Sequence, residues 1–186
     1  IPINTGLDQI PVTFNRLDRM QNISQEQVNA TLTFLRDAYI QSAVAVNELG
    51  LRDWPIQIVH SDWHPGNMLF LNHQVVAVID YDAARLQQRV VDVANGALQF
   101  SIVGGTDDPA SWPDAVDEPR LQQFIGGYDE MDVLSDAELR IMPWLMIEAL
   151  VAESVLPIAV TGSFGRIEGY GFLQMIERKV RWLERE

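Results

Sequence analysis

In the stretch HSDWHPGNMLFLNHQVVAVIDYD, His60 to Asp82, carboxylates, imidazoles and a carboxamide lie close enough in sequence to share one site. One oriented carboxylate can take the proton of an attacking hydroxyl, and hard oxygen donors can hold magnesium on phosphates. Phosphoryl transfer asks little else of a protein in covalent terms, because the rest is positioning and charge stabilisation. Other chemistries fit less well. The chain has no cysteine, so it has no thiolate nucleophile, disulfide or cysteine-ligated zinc. Pro65 and Gly66 follow His64 and make this a loop, whereas an H-E-x-x-H zinc site needs a helix. No serine stands in a G-x-S-x-G elbow. Asp-x-His also opens two-metal phosphoesterase sites, but the Gly-Asp and Gly-Asn-His blocks those require do not follow, so a metal-dependent phosphoesterase is only a minor alternative.

Short strands must position these residues. Ile56 to His60, Met68 to Leu71 and Val75 to Ile79 are rich in branched residues, and Asn72, His73 and Gln74 connect the last two as a hairpin. The polar residues then fall on loops at strand ends. Before them, Ser24 and Gln27 form a capping box opening a long amphipathic helix through Val28, Leu32, Leu35, Tyr39, Ser42, Val46 and Leu49 to Gly50. Residues 1–23 have no clear period and read as coil with at most a short helix. After the strands, Arg89 to Val103 resumes helical spacing, and Gly104 to Pro119 reads as a surface loop. Further helices are predicted over Arg120 to Tyr128, from a second capping box at Ser135 and Glu138 to about Val160, and from about Tyr170 to Arg185. Pro143 is expected to restart or kink the middle one. Glycine-rich Gly162 to Gly171 reads as an interhelical turn, and Lys179 as part of a solvated helix face.

Kinases place their catalytic residues on a loop H-x-D-x-x-x-x-N, followed after a hairpin by a metal-binding aspartate. His60, Asp62, Asn67 and Asp80 have that order and spacing. HSDWHPGN with VIDYD resembles the aminoglycoside phosphotransferase and choline kinase superfamily more closely than protein kinases, because that superfamily carries H-x-D-x-H-x-x-N and then a strand ending I-D-aromatic. The resemblance spans about residues 24–103. It implies an α+β, mostly helical fold, the C-terminal lobe of a protein-kinase-like architecture, with a small β-hairpin carrying the catalytic and metal loops. It also implies ATP and Mg2+ and a small hydroxylated acceptor. By position, Asp62 resembles the catalytic base, and Asn67 and Asp80 the magnesium ligands. His64 would either hydrogen-bond the transferred phosphoryl group or brace the loop. His60 and Asp92 would be loop scaffold, Asp92 through backbone amides. Asp82 would assist the metal, pair with Arg85 or cap the following turn, and Trp63 and Tyr81 would pack.

Size and composition suit one globular domain over residues 1–186. With 13 basic and 26 acidic residues the formal charge is -13, which disfavours nucleic acid and anionic membranes and favours cationic ligands. No uninterrupted apolar run approaches a membrane span, and no segment resembles a signal peptide, so a soluble, cytoplasmic protein is expected. The N-terminal nucleotide lobe of a complete kinase fold, with its glycine-rich strand pair and lysine, has no counterpart before His60. The expectation is therefore a C-terminal lobe, weak or inactive alone, with a catalytically silent or binding remnant as the alternative. Candidate acceptor-pocket residues are Trp112, Asp114 and Trp144: the acidic group for amines such as those of an aminoglycoside, the indoles for a quaternary ammonium such as choline. Homoserine-like and sugar acceptors stay open.

Overall fold

The computed structural model describes residues 2–17, 23–104 and 106–185. They form a mostly helical α+β fold with small antiparallel sheets. In chain order come α1 (Ile3–Arg16), α2 (Gln25–Glu48), β1 (Ile56–Val59), β2 (Met68–Leu71), β3 (Gln74–Val78), β4 (Arg85–Gln88), α3 (Arg89–Ser101), α4 (Glu118–Asp129), α5 (Asp136–Thr161), β5 (Ser163–Phe164), β6 (Ile167–Glu168) and α6 (Gly169–Leu183). The chain divides into two compact units. One comprises Ala45–Ile102 and Val116–Met146, the other Ile1–Val44, Val103–Ala115 and Ile147–Glu186.

The first of these units holds the stretch from His60 to Asp82. Two antiparallel ribbons frame it. β1 pairs with β4 from Ile56↔Gln88 to Val59↔Arg85, and β2 pairs with β3 from Met68↔Val78 to Leu71↔Gln74. Asn72 and His73 alone join β2 to β3, both with positive φ (49° and 64°), as a two-residue type I′ turn requires. Neither ribbon buries a full face: Ile58, Phe70, Val76 and Leu86 are all exposed, Ile58 by 77%. That explains why β4 escapes a pattern search, since Arg85–Gln88 shows no alternation of apolar and polar residues to betray a buried side. The core of this unit lies instead along α3, where Val90, Val93, Ala94, Ala97 and Leu98 are buried, and Phe100 packs on Phe124 of α4.

The other unit corrects two expectations. Residues 3–16 form a full helix, α1, rather than coil; the continuation of that expectation over residues 18–22 lies outside the described residues. Leu7, Ile10 and Phe14 share its buried face, and Thr13 Oγ1 donates to Ala159 O at 2.6 Å. Gly6 and Pro11, which argue against a helix locally, are tolerated for tertiary reasons. A Cβ on Gly6 would stand 2.9 Å from Val155 Cγ1, so the glycine permits close approach of α1 to the later part of α5. Lys179 is the second correction, because it is fully buried rather than solvated. Its ammonium donates to Pro113 O (2.8 Å) and Ala115 O (3.1 Å), and neighbouring Arg178 donates to Asp114 and to Pro109 O. Pro109 O also accepts Trp112 N within a short 3-10 turn, whereas the Pro113 and Ala115 carbonyls rely on the Lys179 ammonium. Burial, and then the Arg178 charge, push the Lys179 pKa down to about 8 against the opposing pull of Asp114.

Both capping boxes form. Ser24 N donates to Gln27 Oε1 and Gln27 N to Ser24 Oγ; Ser135 N donates to Glu138 Oε2 and Glu138 N to Ser135 Oγ. Gly50 ends the turn after α2 at φ 74°, in the left-handed region. α5 runs unbroken through Pro143, without a restart there. It is also the one helix among the described residues long and apolar enough to cross a membrane, and half of its most apolar window is buried inside the protein.

Candidate active site

β1 ends at Val59 and delivers His60 and Ser61 to the side chain of Asp92, one turn into α3. Asp92 Oδ2 accepts His60 N (2.9 Å), Oδ1 accepts Ser61 N (2.7 Å), and Trp63 Nε1 also donates to Oδ2. One carboxylate thus satisfies three N–H donors of a loop that has no sheet partner, and charge-assisted bonds are the strong ones. Ser61 takes φ 64°, a left-handed conformation costly for a serine, which the two amide bonds beside it hold in place. His60 is buried at 5% exposure, and its Nε2 hydrogen-bonds Ile79 O at 3.0 Å. A carbonyl can only accept, so Nε2 carries the proton.

The chain then turns through Pro65–Asn67. His64 caps this turn, Nδ1 accepting Gly66 N at 3.0 Å, so the proton of a neutral His64 sits on Nε2. That nitrogen lies 3.7 Å from Asp62 Oδ2. From the other side Asn67 Nδ2 donates to Asp62 Oδ2 (2.8 Å) and to its backbone O (2.9 Å). Among the described residues no donor engages Asp62 Oδ1, and the side chain is 47% exposed. The result is a carboxylate fixed through one oxygen and open at the other. With Nδ2 committed to Asp62, the Asn67 oxygen faces away from it.

Asp80 reaches the same end of the hairpin through the sheet. Ile79 N donates to Asn67 O at 3.0 Å, extending the β2–β3 ladder by one step, and Asp80 follows directly in a left-handed conformation (φ 65°). It is exposed and caps nothing with its side chain. Asp82 is exposed as well and makes no ion pair with Arg85, whose Nε donates to Gln87 Oε1 instead. Among the described residues no three His, Asp or Glu side chains converge as a ready metal cage. Asn67 and Asp80 offer two hard oxygen ligands, and magnesium is usually held in just this way, through one or two protein oxygens with phosphates and water completing its shell.

The acceptor-pocket residues do not come together in either unit. Trp144 lies on α5 in the site-bearing unit. Trp112 and Asp114 lie in the other, where Trp112 meets Phe172 edge-on and donates to Thr106 O, and Asp114 pairs with Arg178 at 2.7 Å. Sequence reasoning missed two supports. The indole bond from Trp63 to Asp92 is one; a donor-bearing ring beside Asp62 is its only sequence signal. The other is Arg89, at the start of α3, which binds Glu138 through two bonds (2.7 and 2.9 Å), pairs with Asp132 and donates to Val133 O. Arg89 holds the Glu138 carboxyl down to about 2, burial opposing, and these bonds fix the helix end that carries Asp92.

A search of curated proteins returns no match. The profile of the phosphotransferase enzyme family matches residues 7–145, about three-quarters of the chain, and includes every residue of the loop and hairpin described above. The chain therefore belongs to the phosphotransferase enzyme family, within the aminoglycoside phosphotransferase and choline kinase superfamily.

Proposed function

We propose that this chain carries the base and metal half of a site that transfers the terminal phosphoryl group of ATP to a hydroxyl of a small molecule. The observation that supports this best is the coupling of Asp62 to Asn67, with Asp80 one residue beyond the backbone bond that joins Asn67 to Ile79. In this reading the acceptor hydroxyl donates to Asp62 Oδ1 while Asn67 holds Oδ2 and His64 stands 3.7 Å from it. As the acceptor oxygen bonds to phosphorus and the bond to ADP breaks, the hydroxyl proton passes to Asp62. Asn67 Oδ1 and the Asp80 carboxylate would hold Mg2+, which supplies charge neutralisation on the phosphates when bound. The formal charge of -13 favours an acceptor that carries amines or a quaternary ammonium.

A second reading has its own support. Kinases grip the phosphates with a lysine, and the single lysine of this chain is buried and bonded to loop carbonyls. In that reading the chain alone is catalytically silent, and a further lobe that packs on the exposed apolar residues of the two ribbons supplies the missing half. The experiment is ADP release from ATP with magnesium and a panel of aminoglycosides, choline, homoserine and sugars, for the native chain and Asp62→Ala. Loss of a positioned base lowers turnover by about 10²–10⁴-fold. Turnover that survives Asp62→Ala undiminished would exclude Asp62 as the base, and no turnover with any acceptor would favour the silent reading.

A further inference from the structure

The ribbons that frame the loop turn apolar side chains outward. In the β1–β4 ribbon Ile58 stands opposite Leu86 and Ile56 opposite Gln88, so Ile56, Ile58 and Leu86 share one face. Those three are between 57% and 77% exposed, whereas Val59, which points to the other face, is buried. The usual pattern of a half-covered antiparallel sheet is thereby inverted, with branched residues on the side that meets solvent. The β2–β3 hairpin goes further. Leu69 and Leu71 point to one face and Phe70 to the other, and all three are exposed, as are Val75 and Val76. The two ribbons adjoin. His60, directly after β1, hydrogen-bonds Ile79 O, directly after β3, and Ile58 and Met68 line one cavity.

Three features bear on what fits this surface. The first is size: these eight side chains present roughly 900 Å², well above the usual largest apolar patch of a monomer and about what one partner gives to a standard interface. The second is charge. Arg85 is the one charged residue in the four strands, within a chain of formal charge -13. Elsewhere two copies would bring acid toward acid, and here they meet without it. The third is open strand edges. Both sheets have two strands among the described residues, so each strand keeps an edge of unpaired backbone groups. Such edges are normally guarded by charge, proline or a bulge. β2 and β3 contain no charged residue and no proline, and one register shift between Leu69 and Phe70 is the only guard they show. An uncharged apolar surface is complementary to itself. Identical strands related by a two-fold axis also run antiparallel, the more stable pairing direction.

We propose that a second copy of this chain docks on the bare faces of the two ribbons across a two-fold axis, forming a dimer. Use of the same patch by both copies closes the assembly at two. The inference concerns association alone and holds whether or not the chain transfers phosphate. Where a further lobe packs on the same ribbons, it competes with the second copy.

Sedimentation equilibrium of the 186-residue chain over about 1–100 μM is expected to show a monomer–dimer equilibrium that ends at twice the 21.0 kDa of one chain. Added NaCl should tighten the dimer, because it screens repulsion between two acidic copies, whereas an interface built on ion pairs would weaken. Phe70→Glu and Ile58→Glu, one on each ribbon, should each raise the dissociation constant by about tenfold or more, since each leaves a carboxylate in the contact without a partner. Val44→Glu, at a comparably exposed apolar site on α2 in the other unit, should leave the dimer unchanged. Far-UV circular dichroism checks that the variants stay folded. Amide exchange of the unaltered chain needs no variant, and in Met68–Val78 it should slow as concentration rises. A chain that stays monomeric throughout, with exchange independent of concentration, would overturn the proposal. Mass that keeps growing with concentration would overturn the two-fold closure and mark an unspecific patch. A dimer that survives both ribbon substitutions, or that Val44→Glu weakens equally, would place the contact elsewhere and overturn it as well.

Discussion

Two loops of this molecule are held by opposite charges. In the site-bearing unit the segment from His60 to Trp63 hangs on a carboxylate, Asp92, which collects three N–H groups. In the other unit the segment from Pro109 to Ala115 hangs on two cations, Lys179 and Arg178, which donate to three of its carbonyls at 3.1 Å or less. Neither loop pairs with a strand, and each borrows partners from a helix side chain. The difference lies in what is left over. An anion that gathers amides leaves the intervening Asp62 turned outward and half-exposed, whereas the cations close the other loop down on buried Lys179. The same device leaves a carboxylate facing outward in one place and an ammonium facing inward in the other.

Removing the anion should do the greater damage. Asp92→Ala strands two backbone amides and an indole N–H at once, and bonds to a charged acceptor are worth about 1.5–3 kcal/mol each without being additive. A loss of about 4 kcal/mol is expected in denaturant unfolding of the native and variant chains. Stability unchanged within 1 kcal/mol would mean that Asp92 does not carry the loop.

Lys179→Met tests the other side of the comparison. It strands the Pro113 and Ala115 carbonyls but also removes a buried charge, so the loss at neutral pH should be smaller, about 2 kcal/mol. The pH dependence gives the sharper signal. The folded amine loses its proton near pH 8, the unfolded one near 10.5. Between those values the unfolded chain binds more protons, so native stability rises with pH relative to the variant. Below pH 8 the amine is protonated in both states and the difference between the chains is flat. A difference that stays flat from pH 7 to 10.5 would show that burial does not depress this lysine.

The same contrast explains what could be read from the sequence. The capping boxes at Ser24 and Ser135 were legible because donor and acceptor lie three residues apart, so local spacing alone specifies them. The loop from His60 to Asn67 and the hairpin after it were legible for a related reason, since their order and spacing are a contiguous pattern matched by a known family. Lys179 was not. Its neighbours in ERKVRWLERE are charged, and only the distant loop carbonyls explain why it turns inward. α1 was hidden by Gly6 and Pro11, whose local cost is offset by packing that no short window contains. β4 was hidden because a ribbon exposed on both sides needs no alternation.

Trp63→Phe is the finest cut, and it asks whether the third donor on Asp92 matters beyond packing. The ring stays, only the indole N–H is lost, and both amide bonds remain, so a stability loss of about 1.5 kcal/mol is expected in the same unfolding measurement. The effect on turnover separates positioning from packing. If the indole bond orients the backbone on either side of Asp62, the proposed base, Trp63→Phe should lower kcat and leave KM for the acceptor nearly unchanged, because Asp62 is misaligned while binding groups are intact. A pure packing residue would pass the same stability loss with kcat unaltered. The opposite split, a raised KM at constant kcat, would place Trp63 among groups that bind the acceptor and would contradict the orientation of its indole toward Asp92.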